Sequence, residues 1–220
     1  MYIDIHTHRQ NKETALQIRS MQVHELHKLS FLDFDWYCFG LHPWDVQPET
    51  VDAQLQELWA HTSDERMLAI GEVGLDKHVN ANLELQTYAF NKQIEMAQQL
   101  SKPMVIHCVK AYNELMAIRK KSDMNLPWII HGYNANWAIA EQLIDMNCYL
   151  SFGEMLFQPN SKAVECIASI NPDRLFFETD DSRFSIEDIY EQAAKLLFIP
   201  TDILKAQIMD NFSSCFKAEK

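Results

Sequence analysis

The chain is poor in glycine, has no closely paired cysteines and carries no excess of positive charge. Its five cysteines, in 220 residues, form no C-x-x-C motif, which argues against a zinc knuckle or a disulfide framework and predicts reduced thiols. The net charge is −12, whereas proteins that bind nucleic acid electrostatically usually carry a basic surface. Glycine-rich nucleotide loops and the G-x-S-x-G elbow of serine hydrolases are also absent from the sequence, so those two chemistries have no support.

Long apolar runs are missing as well. No segment approaches the roughly 18 apolar residues of a membrane span, and the first residues lack a basic stretch followed by an apolar one. We therefore expect a cytoplasmic protein that contacts no membrane, and the sequence implies no protein partner. Hydrophobic residues make up 47% of the chain, which is ample for the core of one domain.

Short β-rich runs alternate with longer amphipathic stretches along the whole chain. The predicted strands are Tyr2–His6, Ala15–Val23, Trp36–Leu41, Met67–Glu72, Met104–His107, Trp128–His131, Cys148–Phe152 and Leu175–Glu178. The predicted helices are Pro48–His61, Leu83–Leu100, Tyr112–Lys120, Asn136–Met146, Lys162–Ile170, Ile186–Phe198 and Asp202–Phe216. The pattern predicts an α/β protein, a (β/α)8 TIM-type barrel that forms a single domain over residues 1–220, with a first crossover too short for a full helix.

Histidine and carboxylate side chains lie at the ends of these predicted strands. They are His6, His8, His42, Glu72, His107, His131 and Asp180. The strand ends of a parallel barrel point to one face, where active sites form. All five glycines also lie at or just past predicted strand ends, where the backbone must turn or approach a ligand.

Each of these residues alone is weak support for a site. An isolated H-x-H at a strand end is as compatible with a solvated surface as with a metal ligand, and a single histidine after an apolar run is more often a core residue. Together, imidazole nitrogens and carboxylate oxygens form the donor set of a pair of divalent cations. Glu72 is the candidate bridging carboxylate, and Asp180 could bind a metal and also accept a proton from water. The remaining histidines are interpreted as surface residues: His24, His27, His61 and His78.

Six motifs, in the same order along the chain, resemble those of the TatD-type metal-dependent hydrolases. They are Asp4-Ile5-His6-Thr7-His8, Gly40-Leu41-His42-Pro43, the stretch Ala69 to Asp76 (AIGEVGLD), the stretch Lys102 to His107 (KPMVIH), His131-Gly132 and Glu178-Thr179-Asp180. The resemblance covers essentially the whole chain. It implies a metallo-barrel of the amidohydrolase type and two divalent metal ions, either Zn²⁺, Mg²⁺ or Mn²⁺.

The same resemblance implies a role for each residue of the site. His6, His8 and Asp180 would surround one metal, His107 and His131 the other, and Glu72 would lie between them. Asp4 would orient a metal-binding imidazole through the ring nitrogen that does not face the metal. His42 and Lys77 would face the substrate.

The implied reaction is the attack of metal-activated water on a phosphate ester, as in a deoxyribonuclease or phosphodiesterase, with DNA ends among the candidate substrates. Two features differ from the family pattern: Val109 stands where an arginine is usual, and Asp181-Ser182-Arg183-Phe184 replaces an arginine-bearing loop. Two other hypotheses remain open. The same metals could serve the hydrolysis of an amide or carboxylic ester, or the protein could retain metal as a binding protein without turnover.

Overall fold

The computed structural model describes residues 1–9, 15–31, 36–79, 82–123 and 125–216. Its strands are β1 Tyr2–Thr7, β2 Ala15–Gln22, β3 Trp36–Gly40, β4 Met67–Asp76, β5 Met104–Val109, β6 Trp128–Ile130, β7 Cys148–Phe152 and β8 Leu175–Phe177. Its α-helices are α1 Val51–Ala60, α2 Leu83–Leu100, α3 Tyr112–Arg119, α4 Trp137–Asp145, α5 Lys162–Ile167, α6 Ile186–Leu197 and α7 Thr201–Phe216. Three short 3₁₀ helices cover Val23–Phe31, Glu154–Phe157 and Pro172–Arg174. The predicted alternation of strands and helices is confirmed.

The chain divides into two compact units. The terminal unit comprises Met1–Arg19 and Ile129–Lys220, and the central unit comprises Ser20–Trp128. β1, β7, β8 and α4 to α7 belong to the terminal unit, whereas β3 to β5 and α1 to α3 belong to the central unit. β2 and β6 each run across a boundary in the sequence.

The strands are parallel wherever their registers are defined, and their order in the sheet, β1 to β8, follows the sequence. In the terminal unit, the end of β1 also pairs with the residues just after β8, through a parallel bridge between Thr7 and Asp180. Apart from β2 and the end of β5, the strands are almost entirely buried and rich in aliphatic and aromatic residues, as expected for parallel strands covered by helices.

β4 is longer than the sequence predicts, because it continues past Glu72 to Asp76. The buried amide of Gln86 on α2 accepts from the backbone N–H of Asp76 and donates to its carbonyl oxygen, at 2.8 and 3.0 Å. Gly74 has a positive φ of 147°, and any side chain there would collide with the backbone of His107 on β5. The glycine therefore lets β4 and β5 approach closely at the point where both strands present polar side chains.

Among the described residues, no helix combines the length and the apolar character needed to cross a membrane.

Candidate metal centre

His6, His8 and Asp180 form one group of donors within the terminal unit. The Nε2 atoms of His6 and His8 lie 3.8 and 3.5 Å from Oδ1 of Asp180, and the donor atoms of all three residues lie within 4.8 Å of one another. His6 is fully buried, whereas His8 and Asp180 are partly exposed. The two histidines share a face of β1 because side chains alternate along a strand.

The backbone fixes Asp180 against the end of β1. Its N–H donates to the carbonyl oxygen of His6 at 2.9 Å, and its carbonyl oxygen accepts from the N–H of His8 at 3.4 Å. Asp180 adopts a left-handed conformation with φ of 50°, which is uncommon for a residue other than glycine. Strand pairing thus holds this carboxylate beside both imidazoles.

Asp4, also on β1, is hydrogen-bonded to Thr179, the residue that precedes Asp180. Its carboxylate accepts from the backbone N–H of Thr179 at 2.9 Å and from the Thr179 hydroxyl at 2.7 Å. Burial raises the pKa of Asp4 to about 7, although both hydrogen bonds act in the opposite direction. Asp4 therefore positions the E-T-D segment, and its predicted orientation of an imidazole stays a prediction.

His131 and Glu178 form a second buried pair in the terminal unit. His131 Nδ1 lies 3.4 Å from Glu178 Oε1, which also accepts from the backbone N–H of Gly132 at 2.6 Å. The His131 ring packs on His6, with centroids 4.3 Å apart. Burial acts to raise the pKa of Glu178, but the contacts with His131 and His6 outweigh it and hold the pKa below its usual range.

The central unit contains another donor group, built from His42, Glu72 and His107. Glu72 Oε1 lies 3.1 Å from His42 Nε2 and 2.9 Å from His107 Nδ1. One donor atom from each of the three residues lies within 4.8 Å of the other two. Glu72 is nearly fully buried. His42, predicted to face the substrate, is thus also placed as a possible ligand.

Asp76 and Trp44 complete this group from behind. Asp76 Oδ2 lies 3.0 Å from His107 Nε2 and accepts from the indole N–H of Trp44 at 2.7 Å. Burial acts to raise the pKa of Asp76, but hydrogen bonds from Trp44, the backbone N–H of His78 and His107 hold it below its usual range. A carboxylate that engages the far nitrogen of an imidazole fixes the ring and its tautomer, as it does for histidines that bind metals.

Lys77, the other predicted substrate contact, donates to Glu114 Oε1 at 2.6 Å, and both side chains are about 37% exposed. Sequence reasoning missed Asp76, Glu178 and Trp44 as members of the site. The signal for the two carboxylates was present, since Glu178 directly follows the apolar run Leu175–Phe177 and both carboxylates stand in the motifs quoted above.

The donor chemistry of both groups fits a divalent cation. Each combines imidazole nitrogen with carboxylate oxygen, the set preferred by Zn²⁺ and Mn²⁺ and by related ions, and no cysteine takes part. The predicted sharing of one metal by His107 and His131, and the bridging role of Glu72, involve residues of different units and stay predictions.

A parallel β/α fold with histidine and carboxylate donors at its strand ends defines the class of metal-dependent hydrolases built on TIM-type barrels. The chain belongs to the TatD related DNase family, whose model matches residues 5–217. The recognition made from the six motifs is thereby confirmed.

Relatives in sequence agree with this assignment. The chain is 34% identical over 153 residues to the uncharacterized metal-dependent hydrolase YabD of Bacillus subtilis, a match covering 67% of this chain and 59% of YabD. It is 31% identical over 183 residues to an uncharacterized metal-dependent hydrolase of Buchnera aphidicola, covering 80% of this chain and 68% of that protein. The chain thus spans 59% and 68% of the lengths of these two relatives.

The crystal structure of YjjV, a TatD homologue from Escherichia coli, superposes with a TM-score of 0.85 at 19% identity, covering 99% of this chain and 98% of that one. At this level of identity the comparison shows the fold, and the predicted (β/α)8 TIM-type barrel is confirmed.

Proposed function

We propose that the protein is a divalent-metal-dependent hydrolase of phosphate ester bonds, acting as a phosphodiesterase or deoxyribonuclease. The observation that carries the proposal is that each unit contains a group of histidine and carboxylate donors compact enough to hold a cation. The family to which the chain belongs is named for DNase activity, which favours phosphorus over carbon as the centre attacked.

In this proposal, His6, His8 and Asp180 hold one cation, with His131 packed beside His6. Glu72 and His107 hold the other, with His42 at the same carboxylate oxygen. Bound there, the cations would polarise the ester phosphate and make a water molecule more acidic.

Asp180 is the proposed general base. Its carboxylate is 44% exposed, so one oxygen can reach a water molecule while the other faces the imidazoles. The backbone pairing with His6 and His8 holds it in place. Proton acceptance by a carboxylate requires hydrogen-bond reach to the attacking water, and the partly open position of Asp180 provides that reach.

Substrate contacts are assigned to His42 and Lys77. The ion pair of Lys77 with Glu114 is partly exposed, and such surface pairs contribute little free energy, so the amine can exchange Glu114 for a phosphate oxygen. We expect a phosphate ester substrate, with DNA ends as one candidate.

The test is an assay of purified protein with added Mn²⁺, Mg²⁺ or Zn²⁺ on a bis-aryl phosphate, single-stranded DNA and a panel of amides and carboxylic esters. We expect metal-dependent hydrolysis of phosphate esters, and at least a 100-fold loss of that activity in Asp180→Ala and in Glu72→Ala, since even residues behind metal ligands are worth 10- to 100-fold. His61→Ala, in the turn after α1, is the matched control and should retain full activity.

Turnover that survives both substitutions would contradict the site. Selective hydrolysis of amides or carboxylic esters would replace the phosphate proposal with the alternative reaction at the same donors. Tight metal binding with no turnover on any arm would identify a metal-retaining binding protein.

A further inference from the structure

Trp44 is a large aromatic side chain held in the open beside the donors of the central unit. Its side chain is 61% exposed, although transfer of an indole from water to an apolar environment is strongly favourable. The ring meets His42 edge to face with centroids 4.9 Å apart, and His107 with centroids 6.0 Å apart. An exposed indole therefore lies beside His42 and His107, which are predicted to contact the substrate or a metal.

The indole is fixed rather than loosely solvated. Its N–H donates to the buried carboxylate of Asp76 at 2.7 Å, and the backbone N–H of Trp44 donates to His42 Nδ1 at 3.2 Å. Pro43 precedes it, and proline restricts the backbone torsion φ. A charge-assisted hydrogen bond of this length is among the stronger side-chain interactions.

The loop that carries Trp44 is anchored on both sides. The backbone N–H and carbonyl of Leu41 bond to the buried amide of Gln93 at 2.7 and 3.2 Å, and the N–H of Asp45 donates to the carbonyl of His42 at 3.0 Å. The ring is thus preorganised, so a ligand that contacts it pays little additional ordering entropy.

We propose that Trp44 is a stacking platform that selects phosphate esters bearing a planar aromatic ring next to the ester. A phosphate near His42 and His107 would leave a ring on a short spacer in reach of the exposed indole face. Offset stacking on an indole is favourable for any flat π system, and base stacking on aromatic side chains is sequence-tolerant. The ligand chemistry is a nucleobase or an aryl group attached through phosphate.

This inference rests on the proposed function, so its test measures binding as well as turnover. Calorimetry on metal-loaded protein would compare deoxyadenosine 5′-phosphate with 2-deoxyribose 5-phosphate, which lacks only the base. We expect roughly tenfold tighter binding of the nucleotide. Phenyl phosphate distinguishes the two sources of the ring: tighter binding of both ring-bearing ligands supports a general aromatic platform, and tighter binding of the nucleotide alone supports a nucleobase platform.

Three substitutions separate stacking from support of Asp76. Trp44→Phe keeps an aromatic face and loses the N–H, whereas Trp44→Gln keeps an N–H donor and loses the face. Stacking predicts that Phe retains the roughly tenfold preference while Gln and Ala abolish it. A role limited to Asp76 and His107 predicts the reverse order. Trp59→Ala removes another exposed indole, on α1, and should leave the preference unchanged.

Turnover gives a second readout. Loss of an interaction made equally in the ground and transition states raises KM and leaves kcat unchanged. Trp44→Phe and Trp44→Ala both lose the N–H that donates to Asp76, so we expect the two variants to share one kcat within a factor of two, with a KM for a bis-aryl phosphate about tenfold higher in Trp44→Ala. Equal binding of ligands with and without a ring by the unsubstituted protein, or a preference that persists in Trp44→Ala, would overturn the inference. A ring preference in a protein that hydrolyses no phosphate ester would refute the proposed function and leave the platform standing.

Discussion

At the scale of single residues, the two buried carboxyl groups behind the terminal donors are tuned in opposite directions. Burial raises the pKa of Asp4 to about 7, and the neutral donors of Thr179 lower it only in part. The pKa of Glu178 is held low, because imidazoles surround it.

The Asp4 shift has a consequence for stability that Asp4→Asn tests. The folded state holds this proton up to about pH 7, whereas the unfolded chain releases it near pH 3.8. In metal-free protein the contribution of Asp4 to the free energy of unfolding therefore falls as pH rises from about 4 to about 7, by at most about 1.4 kcal/mol per pH unit. We expect urea unfolding of Asp4→Asn to lack this component. A pH dependence identical to that of the exposed control Asp202→Asn would contradict it.

Glu178→Gln tests whether this carboxylate supports the metal ligands. Glutamine keeps the size of the side chain and an acceptor for the N–H of Gly132, but it removes the charge that faces His131. His131 packs on the proposed ligand His6, and loss of a group that supports metal ligands from behind usually weakens metal affinity by about 10- to 100-fold. Competition with a chelating dye should show that loss for one cation. Unchanged affinity, equal to that of Glu165→Gln on the exposed side of α5, would refute this role.

The donors themselves could be predicted from the sequence because each follows an apolar run that marks a buried strand. Their supporting contacts could not. Asp4 and Thr179 are 175 positions apart in the chain, and the contact of Trp44 with Asp76 depends on how the loop after β3 packs against the end of β4. Such pairings are set by tertiary distances that residue periodicity does not encode.

At the scale of elements, the strands were predicted better than their ends. The buried run from Met67 continues as one strand to Asp76, because Gln86 supplies hydrogen bonds that the local sequence does not reveal. Helix α1 begins at Val51, later than the predicted Pro48, and α5 ends at Ile167, earlier than the predicted Ile170. Ser185 caps the start of α6.

Helix α6 begins at Ile186, a few residues after Asp180, and a capping box formed by Ser185 and Asp188 stabilises its first turn. The Ser185 hydroxyl accepts from the N–H of Asp188, while the Asp188 carboxylate accepts from the N–H of Ser185, at 3.1 and 3.0 Å. We expect Ser185→Ala to lower the free energy of unfolding by about 1 kcal/mol, measured by urea denaturation. Ser213→Ala, in the last part of α7, should be neutral or slightly stabilising, since alanine is the better helix former; equal effects of the two would argue against the cap.

At the scale of the whole molecule, the net charge of −12 bears on the substrate. A negative protein repels a polyanion at long range, and salt screens that repulsion over about 10 Å at 0.1 M. Proteins that bind DNA through a basic surface show the opposite dependence, because salt weakens their binding steeply.

We therefore expect kcat/KM for single-stranded DNA to rise several-fold between about 0.01 and 0.15 M NaCl, while the value for a small bis-aryl phosphate changes little. The measurement is a series of initial rates at fixed metal concentration. A steep fall in the DNA rate over the same range would show that a local basic surface dominates over the net charge.

The central claim is that the terminal and central donor groups each hold a divalent cation, and elemental analysis of protein never exposed to a chelator tests it most directly. The account predicts two divalent ions per chain, falling to one in Asp180→Asn and, separately, to one in His107→Ala, with the fold retained by circular dichroism. Protein that binds no divalent ion even when Zn²⁺ or Mn²⁺ is supplied, or two ions that remain in both variants, would contradict it.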